Sequence, residues 1–191
     1  MTKNELRREM KRLNLSLTAD ERAEKSRRIF SRVERLPAFA AAHTVAFFCA
    51  LADEPATQPA IARWLAQGKR IVVPRVGGER MEFFEYAPET MCAGAFGISE
   101  PGAGAVLCPP AEIDLVVVPG TVFSPQGARM GRGRGYYDRY LSQRKFRGVK
   151  VGVCYAHQLV GELPVEPHDV AMDCVVAECG DVGPSQIAEP R

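Results

Sequence analysis

The segment Arg129-Met130-Gly131-Arg132-Gly133-Arg134-Gly135-Tyr136-Tyr137-Asp138-Arg139 alternates glycine with arginine. It follows the apolar run Ile113 to Val118, closed by Pro119-Gly120, and precedes a stretch from Tyr136 to Arg144 that reads as a helix. Glycines let a backbone turn freely and approach a ligand closely. A helix start offers unpaired N–H groups and the positive end of the dipole, and arginines add bidentate charge. This combination suits a multiply charged anion. Asp138, an acid inside the basic cluster, is what a metal-bound phosphate would require. The loop is not a Walker A motif, because no Gly-Lys-Ser/Thr follows. It is not a dinucleotide fingerprint either, because Gly131-x-Gly133-x-Gly135 lacks the third glycine position. A solvated basic loop and an RGG-like RNA patch stay open as alternatives, although RGG tracts repeat and lack a flanking strand and helix.

Other residues could join this chemistry. Lys3 and Arg7 lie four apart, on one face of a helix. Asp53-Glu54 stands just after an apolar strand, either as a plain turn or at the strand end where open α/β sheets bind ligands. His168-Asp169, in a loop fixed by Pro164 and Pro167, is an ordinary pair or a cation site shared with Asp138. Of Tyr136 and Tyr137, one is expected in the core and one stacked on a ligand. His43 and His157 read as structural.

These side chains need a scaffold, and the rest of the chain supplies its signals. Thr2-x-x-Glu5 and Thr18-x-x-Glu21 are capping boxes. Leu6, Met10, Leu13 and Leu17 after the first, and Ile29, Val33 and Leu36 after the second, recur at helical spacing until Pro37. Thr44–Ala50 predicts a strand, Gln58–Gln67 a helix and Arg70–Pro74 a strand, which together fit a right-handed βαβ unit. Met81–Tyr86 predicts a strand after the Gly77-Gly78 turn. Residues 87–110 read as a long loop. Ile113–Val118, the glycine/arginine loop, a helix to about Lys145 and the strand Val149–Tyr155 form a second βαβ-like unit. Val175–Ala177 is expected as the last strand. We therefore expect an α/β fold in a single domain over residues 1–191. It would have a mostly parallel central sheet flanked by helices, an N-terminal helical pair in residues 1–36 and a loose tail at 181–191.

Composition agrees with a soluble globular domain: 46% of residues are apolar, 25% are charged, and the net charge is +2. Residues 1–36 carry a net +5 and residues 129–150 a net +7, so the remainder is −10. Two basic segments on an acidic remainder suggest one local anionic ligand shared between them, not a chain-wide nucleic-acid surface. No run approaches the roughly 18 apolar residues of a membrane helix, and Met1–Arg12 has no apolar signal core. A cytoplasmic protein without a membrane partner is expected. The six cysteines, Cys49, Cys92, Cys108, Cys154, Cys174 and Cys179, form no Cys-x-x-Cys pair and read as reduced thiols, with zinc binding the weaker alternative.

Taken in order, these features resemble one family. They are Lys3-x-x-Leu6-Arg7, Glu54, Pro119-Gly120-x-x-Phe123, the block Gly127-x-Arg129-x-Gly131-x-Gly133-x-Gly135-Tyr136-Tyr137-Asp138, Leu163-Pro164-Val165 and His168-Asp169. The chain resembles the 5-formyltetrahydrofolate cyclo-ligases over nearly its whole length. The resemblance implies ATP-dependent, Mg²⁺-using cyclisation of 5-formyltetrahydrofolate to 5,10-methenyltetrahydrofolate, by phosphorylation of the formyl oxygen and attack of N10. By position it implies ATP binding at Lys3, Asn4, Glu5, Leu6 and Arg7, and again at Arg129, Met130, Gly131, Arg132, Gly133, Arg134, Gly135, Tyr136 and Tyr137. It implies folate contact at Cys49, Glu54, Arg132, Gly133, Arg134, Gly135 and Tyr136, catalysis by Arg132, Arg134 and Tyr136, and Mg²⁺ at Asp138 and Asp169. Because those aspartates lie in or beside loops, neither is expected to carry stability. The partners expected are ATP and the folate, with no nucleic acid, and the protein is expected to act as a monomer. Three positions depart from the family pattern. Ser124 stands where an acid is common, Arg134 where glycine or a base is usual, and Cys49 where a larger apolar residue is usual. A nucleotide or RNA binder without folate chemistry, and an ATP-dependent ligase for another heterocycle, are the competing readings.

Overall fold

The computed structural model describes residues 2–94 and 99–182. Both capping boxes form. Thr2 and Glu5 cap helix α1 (Lys3–Ser16), and Thr18 and Glu21 cap α2 (Ala19–Val33), each pair exchanging side-chain and backbone hydrogen bonds. Pro37 does not simply stop the chain. It occupies the first turn of a short helix α3 (Pro37–Ala41), where its missing N–H costs nothing. Next come β1 (Thr44–Ala46), α4 (Gln58–Ala66), β2 (Arg70–Gly77) and β3 (Arg80–Glu85).

The expected long loop at 87–110 is more structured than its composition indicates. It holds a 3₁₀ turn (Pro88–Thr90), β4 (Met91–Ala93), β5 (Ser99–Pro101) and β6 (Leu107–Cys108). Pairing across the chain, not local periodicity, makes these strands: β4 pairs with β5, and β6 pairs with β3. Residues 95–98 of that span lie outside the described residues. Then follow β7 (Leu115–Pro119), β8 (Val122–Phe123), β9 (Arg129–Met130), α5 (Tyr136–Leu141), β10 (Val149–Cys154), β11 (Cys174–Ala177) and β12 (Gly180–Val182). The expected loose tail begins too early, because Asp181 and Val182 pair with β11. Residues 183–191 lie outside the described residues.

The main sheet has eight strands in the order β12-β11-β10-β7-β1-β2-β3-β6. The five central strands are mutually parallel, and antiparallel strands close both edges. Both expected βαβ units are present, β1–α4–β2 and β7–α5–β10. Parallel strands covered on both faces need apolar residues in both registers. Val45, Ile71, Val73 and Val117 face a core made with α2 and α4, around the buried Trp64. Ala46, Val72, Val116 and Val118 face a second core with Tyr140 and Leu141 of α5. Both expected N-terminal helices are present, and they cover different surfaces: α2 packs on the sheet, whereas Met10, Leu6 and Leu13 of α1 pack on Val122 and Met130 of the β8–β9 hairpin. That places α1 over the glycine/arginine loop.

Candidate active site

Strand order reverses between β1 and β7, and the crevice beyond the carboxyl ends of two such strands is where open α/β sheets bind ligands. The chain leaving β1 forms one wall. Its strand is shorter than Thr44–Ala50, and the backbone donors of Ala50 and Leu51 are taken by side chains. Ala50 N donates to Thr57 Oγ1 at 3.2 Å and Leu51 N to Glu54 Oε2 at 3.0 Å. The resulting turn buries Asp53 (7% exposed) and Glu54 (9% exposed) at the crevice. Burial raises the Glu54 carboxyl, against the Leu51 N–H and the Arg132 guanidinium, which favour its charge. Burial also pushes the Cys49 thiol up to about 11, so Cys49 is a neutral, apolar wall and not a nucleophile.

The chain leaving β7 forms the other wall. At Gly120 a β-carbon would sit 2.5 Å from the Phe123 ring, which accounts for the Pro-Gly-x-x-Phe spacing. Ser124, the departure from the family's acid, is buried and accepts the Ala128 N–H at 3.2 Å, closing the hairpin turn. Gly133 and Gly135 have φ of +92° and +66°, the left-handed region that suits glycine. Helix α5 is shorter than expected, six residues ending at Leu141, so its dipole contributes less than a long helix would. Tyr136 Oη donates to Gly78 O at 3.0 Å. The Tyr137 hydroxyl is desolvated and raised. Both rings are half-buried, and the ring sealed in the core is Tyr140.

Helix α1 closes the crevice. Arg7 Nε donates to Gly131 O at 2.9 Å, and Lys3 Nζ lies 2.6 Å from Glu166 Oε1 beside the His168-Asp169 loop. Asn14, buried, donates to Asp53 O at 2.9 Å and contacts His157 Nε2. The two basic segments of the sequence thus meet at one place. Arg132 spans the crevice, with Nη2 2.7 Å from Asp53 Oδ1 and 3.0 Å from Glu54 Oε1. Arg134 is exposed.

Arg129 behaves differently from its neighbours. Its side chain is 4% exposed; it donates to Pro119 O and pairs with Asp138 Oδ2 at 2.8 Å. Asp138 Oδ1 accepts the Val170 N–H at 3.2 Å, which brings Asp138 beside Asp169. Asp169 in turn accepts the Glu166 N–H at 2.8 Å. Asp138 is therefore a part-buried structural partner of a buried arginine side chain, contrary to the expectation that neither aspartate carries stability. Loop position in sequence does not reveal that a buried arginine will sit behind the loop. Among the described residues no group of three metal-ligating side chains forms.

Sequence reasoning missed Asn14, Glu166 and Arg22, the last of which lines the crevice with Cys49 and Glu54, as parts of this region. Asn14 had a signal, being a polar residue on the apolar stripe of α1. Glu166 and Arg22 had none, since their neighbours come from distant segments.

A family model described as the 5-formyltetrahydrofolate cyclo-ligase family matches residues 1–178. The chain belongs to that family. Among cyclo-ligase relatives, the 5-formyltetrahydrofolate cyclo-ligase of Escherichia coli (strain K12) is 30% identical, covering 84% of this chain and 92% of the relative. That of Saccharomyces cerevisiae is also 30% identical, covering 94% and 96%. The NMR structure of Aquifex aeolicus 5,10-methenyltetrahydrofolate synthetase superposes with a TM-score of 0.85 at 32% identity, covering 100% of this chain and 95% of that one. A Mycoplasma pneumoniae 5,10-methenyltetrahydrofolate synthetase, 23% identical with a TM-score of 0.76, shares the cyclo-ligase fold.

Proposed function

We propose that this protein cyclises 5-formyltetrahydrofolate to 5,10-methenyltetrahydrofolate at the expense of ATP, releasing ADP and phosphate. The observation that carries the reading is Arg132: one guanidinium joins the anion-binding loop to Glu54 at the strand switch point of a cyclo-ligase fold. Polyphosphate would lie between α1 and the loop, against Lys3, Asn4, Glu5, Leu6 and Arg7 on one side and the segment Arg129–Tyr137 on the other. Arg129, being buried, would shape that segment from behind. Glu54 would accept hydrogen bonds from the donor edge of the pterin, with Cys49 as an apolar contact beside it.

The formyl oxygen, an amide-like oxygen, attacks the γ-phosphorus and ADP leaves. N10 then attacks the formyl carbon, loses its proton, and the oxygen departs with the phosphate. An amide oxygen is a weak nucleophile, so positioning and charge neutralisation supply most of the catalysis. Arg132 and Arg134 would neutralise the transferring phosphoryl group, and Tyr136 would orient it. Asp138 and Asp169 suit Mg²⁺ as a partial ligand set. Asp138 Oδ1 accepts the N–H of the residue that follows Asp169, each carboxylate keeps lone pairs beyond its present bonds, and Mg²⁺ takes one or two carboxylates and completes its shell with phosphate and water. When bound there it would supply charge neutralisation between phosphate oxygens. In this reading the loop serves ATP and not nucleic acid, and the protein acts as a cytoplasmic monomer.

The test is incubation with 5-formyltetrahydrofolate while the methenyl product is followed by absorbance. Product should form only when ATP and a divalent cation are both present. Product without ATP, or none with both, would overturn the reading.

A further inference from the structure

We propose that Arg22 reads the 4-oxo group of the pterin ring, an inference that rests on the folate reading above. Arg22 lies in the first turns of α2 and lines a cleft of about 350 Å³ together with Cys49, Glu54, Thr57 and Gln58. Its Nε is buried and has no hydrogen-bond partner. Natural proteins retain few buried donors in that condition, and each calls for an account. The position of Arg22 is not accidental. Ser26 Oγ donates to Arg22 O at 2.6 Å and accepts the Ala56 N–H at 2.8 Å, which registers this turn of α2 against the Asp53–Thr57 segment. Tyr155 Oη also holds this segment, donating to Glu54 O at 3.2 Å.

The chemistry of the ligand supplies an acceptor for the guanidinium that lines the cleft. One edge of a pterin presents the 2-amino and N3–H donors and then the 4-oxo acceptor. A carboxylate satisfies the first two and can only repel the third. Arginine offers donors and no acceptor, so it is suited to the third position and unsuited to the first two. A cleft walled by one carboxylate and the Arg22 guanidinium therefore matches that edge. The glutamate carboxylates of the folate lie at the opposite end of the ligand from the edge assigned to Glu54. A site that hydrogen-bonds a substrate group rejects analogues lacking it, because its own polar group is then left unpaired. Arg22 thus acts as a specificity residue, not as a group that moves electrons or protons.

The experiment measures binding without ATP, by calorimetry, for wild type, Arg22→Gln and Arg22→Lys. The probes are 5-formyltetrahydrofolate and 5-formyltetrahydropteroate, which lacks the glutamate. Arg22→Gln should weaken both by roughly 10- to 100-fold, the range for losing a charge-assisted hydrogen bond. Arg22→Lys should fall between, since an ammonium keeps the charge but not the fixed N–H. The KM for ATP should not change, and ligand-free melting should stay level or rise. If Arg22→Gln unfolds, Arg22→Lys carries the same comparison. Full affinity of the folded variants for both probes would overturn the proposal. A loss confined to the glutamylated probe would also overturn it, assigning Arg22 to the tail instead. Wild type that fails to bind 5-formyltetrahydrofolate would bring down the folate reading, and this inference with it.

Discussion

Arg132 Nη2 and Glu54 Oε1 lie 3.0 Å apart, so the loop proposed for ATP and the acid proposed for folate hold each other in the ligand-free protein. Asp53 shares the same guanidinium at 2.7 Å. Each ligand would therefore compete with a protein charge for its own contact, and binding of one would release the group that the other needs. This gives the two substrates a physical reason to bind cooperatively.

Glu54→Gln should weaken folate use far more than ATP use. Glutamine keeps the shape, loses the charge and brings a donor where only an acceptor fits. Loss of a charged hydrogen bond at a desolvated site costs on the order of 2–3 kcal/mol. Asp53 would still hold Arg132, so the loop should not collapse. Steady-state kinetics in both substrates decide this: an unchanged folate KM and kcat would reduce Glu54 to a turn residue.

Asp138→Asn and Asp169→Asn should part company. Both should raise the Mg²⁺ requirement and lower kcat. Only Asp138→Asn should also lower the melting temperature, because it strips the charge partner from an Arg129 that is 4% exposed. Removing one member of a buried pair costs up to about 3–5 kcal/mol, less here because Asp138 is only part-buried and asparagine still accepts a hydrogen bond. A Mg²⁺ titration of activity beside ligand-free melting curves checks both claims. Normal Mg²⁺ dependence in both variants would leave Asp138 with its structural role alone.

Asn14→Ala should loosen α1 from the crevice. It removes the bond to Asp53 O and strands His157, while leaving the Met10 contacts with Val122 and Met130 in place. We expect a loss of about 1–3 kcal/mol and a higher KM for ATP, because Lys3 and Arg7 ride on the same helix. His157 adds a pH dependence. Burial depresses its folded pKa below 6.5, so the unfolded state takes up the proton first. Its contribution is complete above pH 6.5 and shrinks as pH falls through that value towards the folded pKa. Melting curves at stepped pH should show the acid-side loss, and His157→Gln should reduce it.

Thiol labelling should be selective. Cys92 and Cys179 are exposed and should react readily near pH 8, whereas Cys49, Cys108, Cys154 and Cys174 are buried and should react only on unfolding. Burial raises the Cys49 thiol from 9.0 to about 11, so the unfolded state loses that proton first. Stability should therefore fall as pH rises from about 9 towards 11. Fast native labelling of Cys49 would mean that the crevice opens in solution.

By itself, the sequence determined the elements whose causes are local. Capping boxes specify α1 and α2 through contacts three residues apart, and apolar runs specify β1, β2, β7 and β10 because strands buried on both faces have no polar register. The glycine/arginine loop announced an anion site, since left-handed backbone and clustered guanidinium groups are readable from residue type. Only tertiary structure decided what depends on long-range contact. It made strands of 91–93, 99–101 and 107–108 by pairing them, separated α1 from α2 by giving each a different surface to cover, and shortened α5. It also sorted three similar arginines into different roles. Arg129 is buried against Asp138, Arg132 bridges two acids from a segment some 80 residues away, and Arg134 is exposed. Residue type and charge are the same for all three in the sequence. Burial and partner, which set the worth of a charge, exist only once distant segments meet.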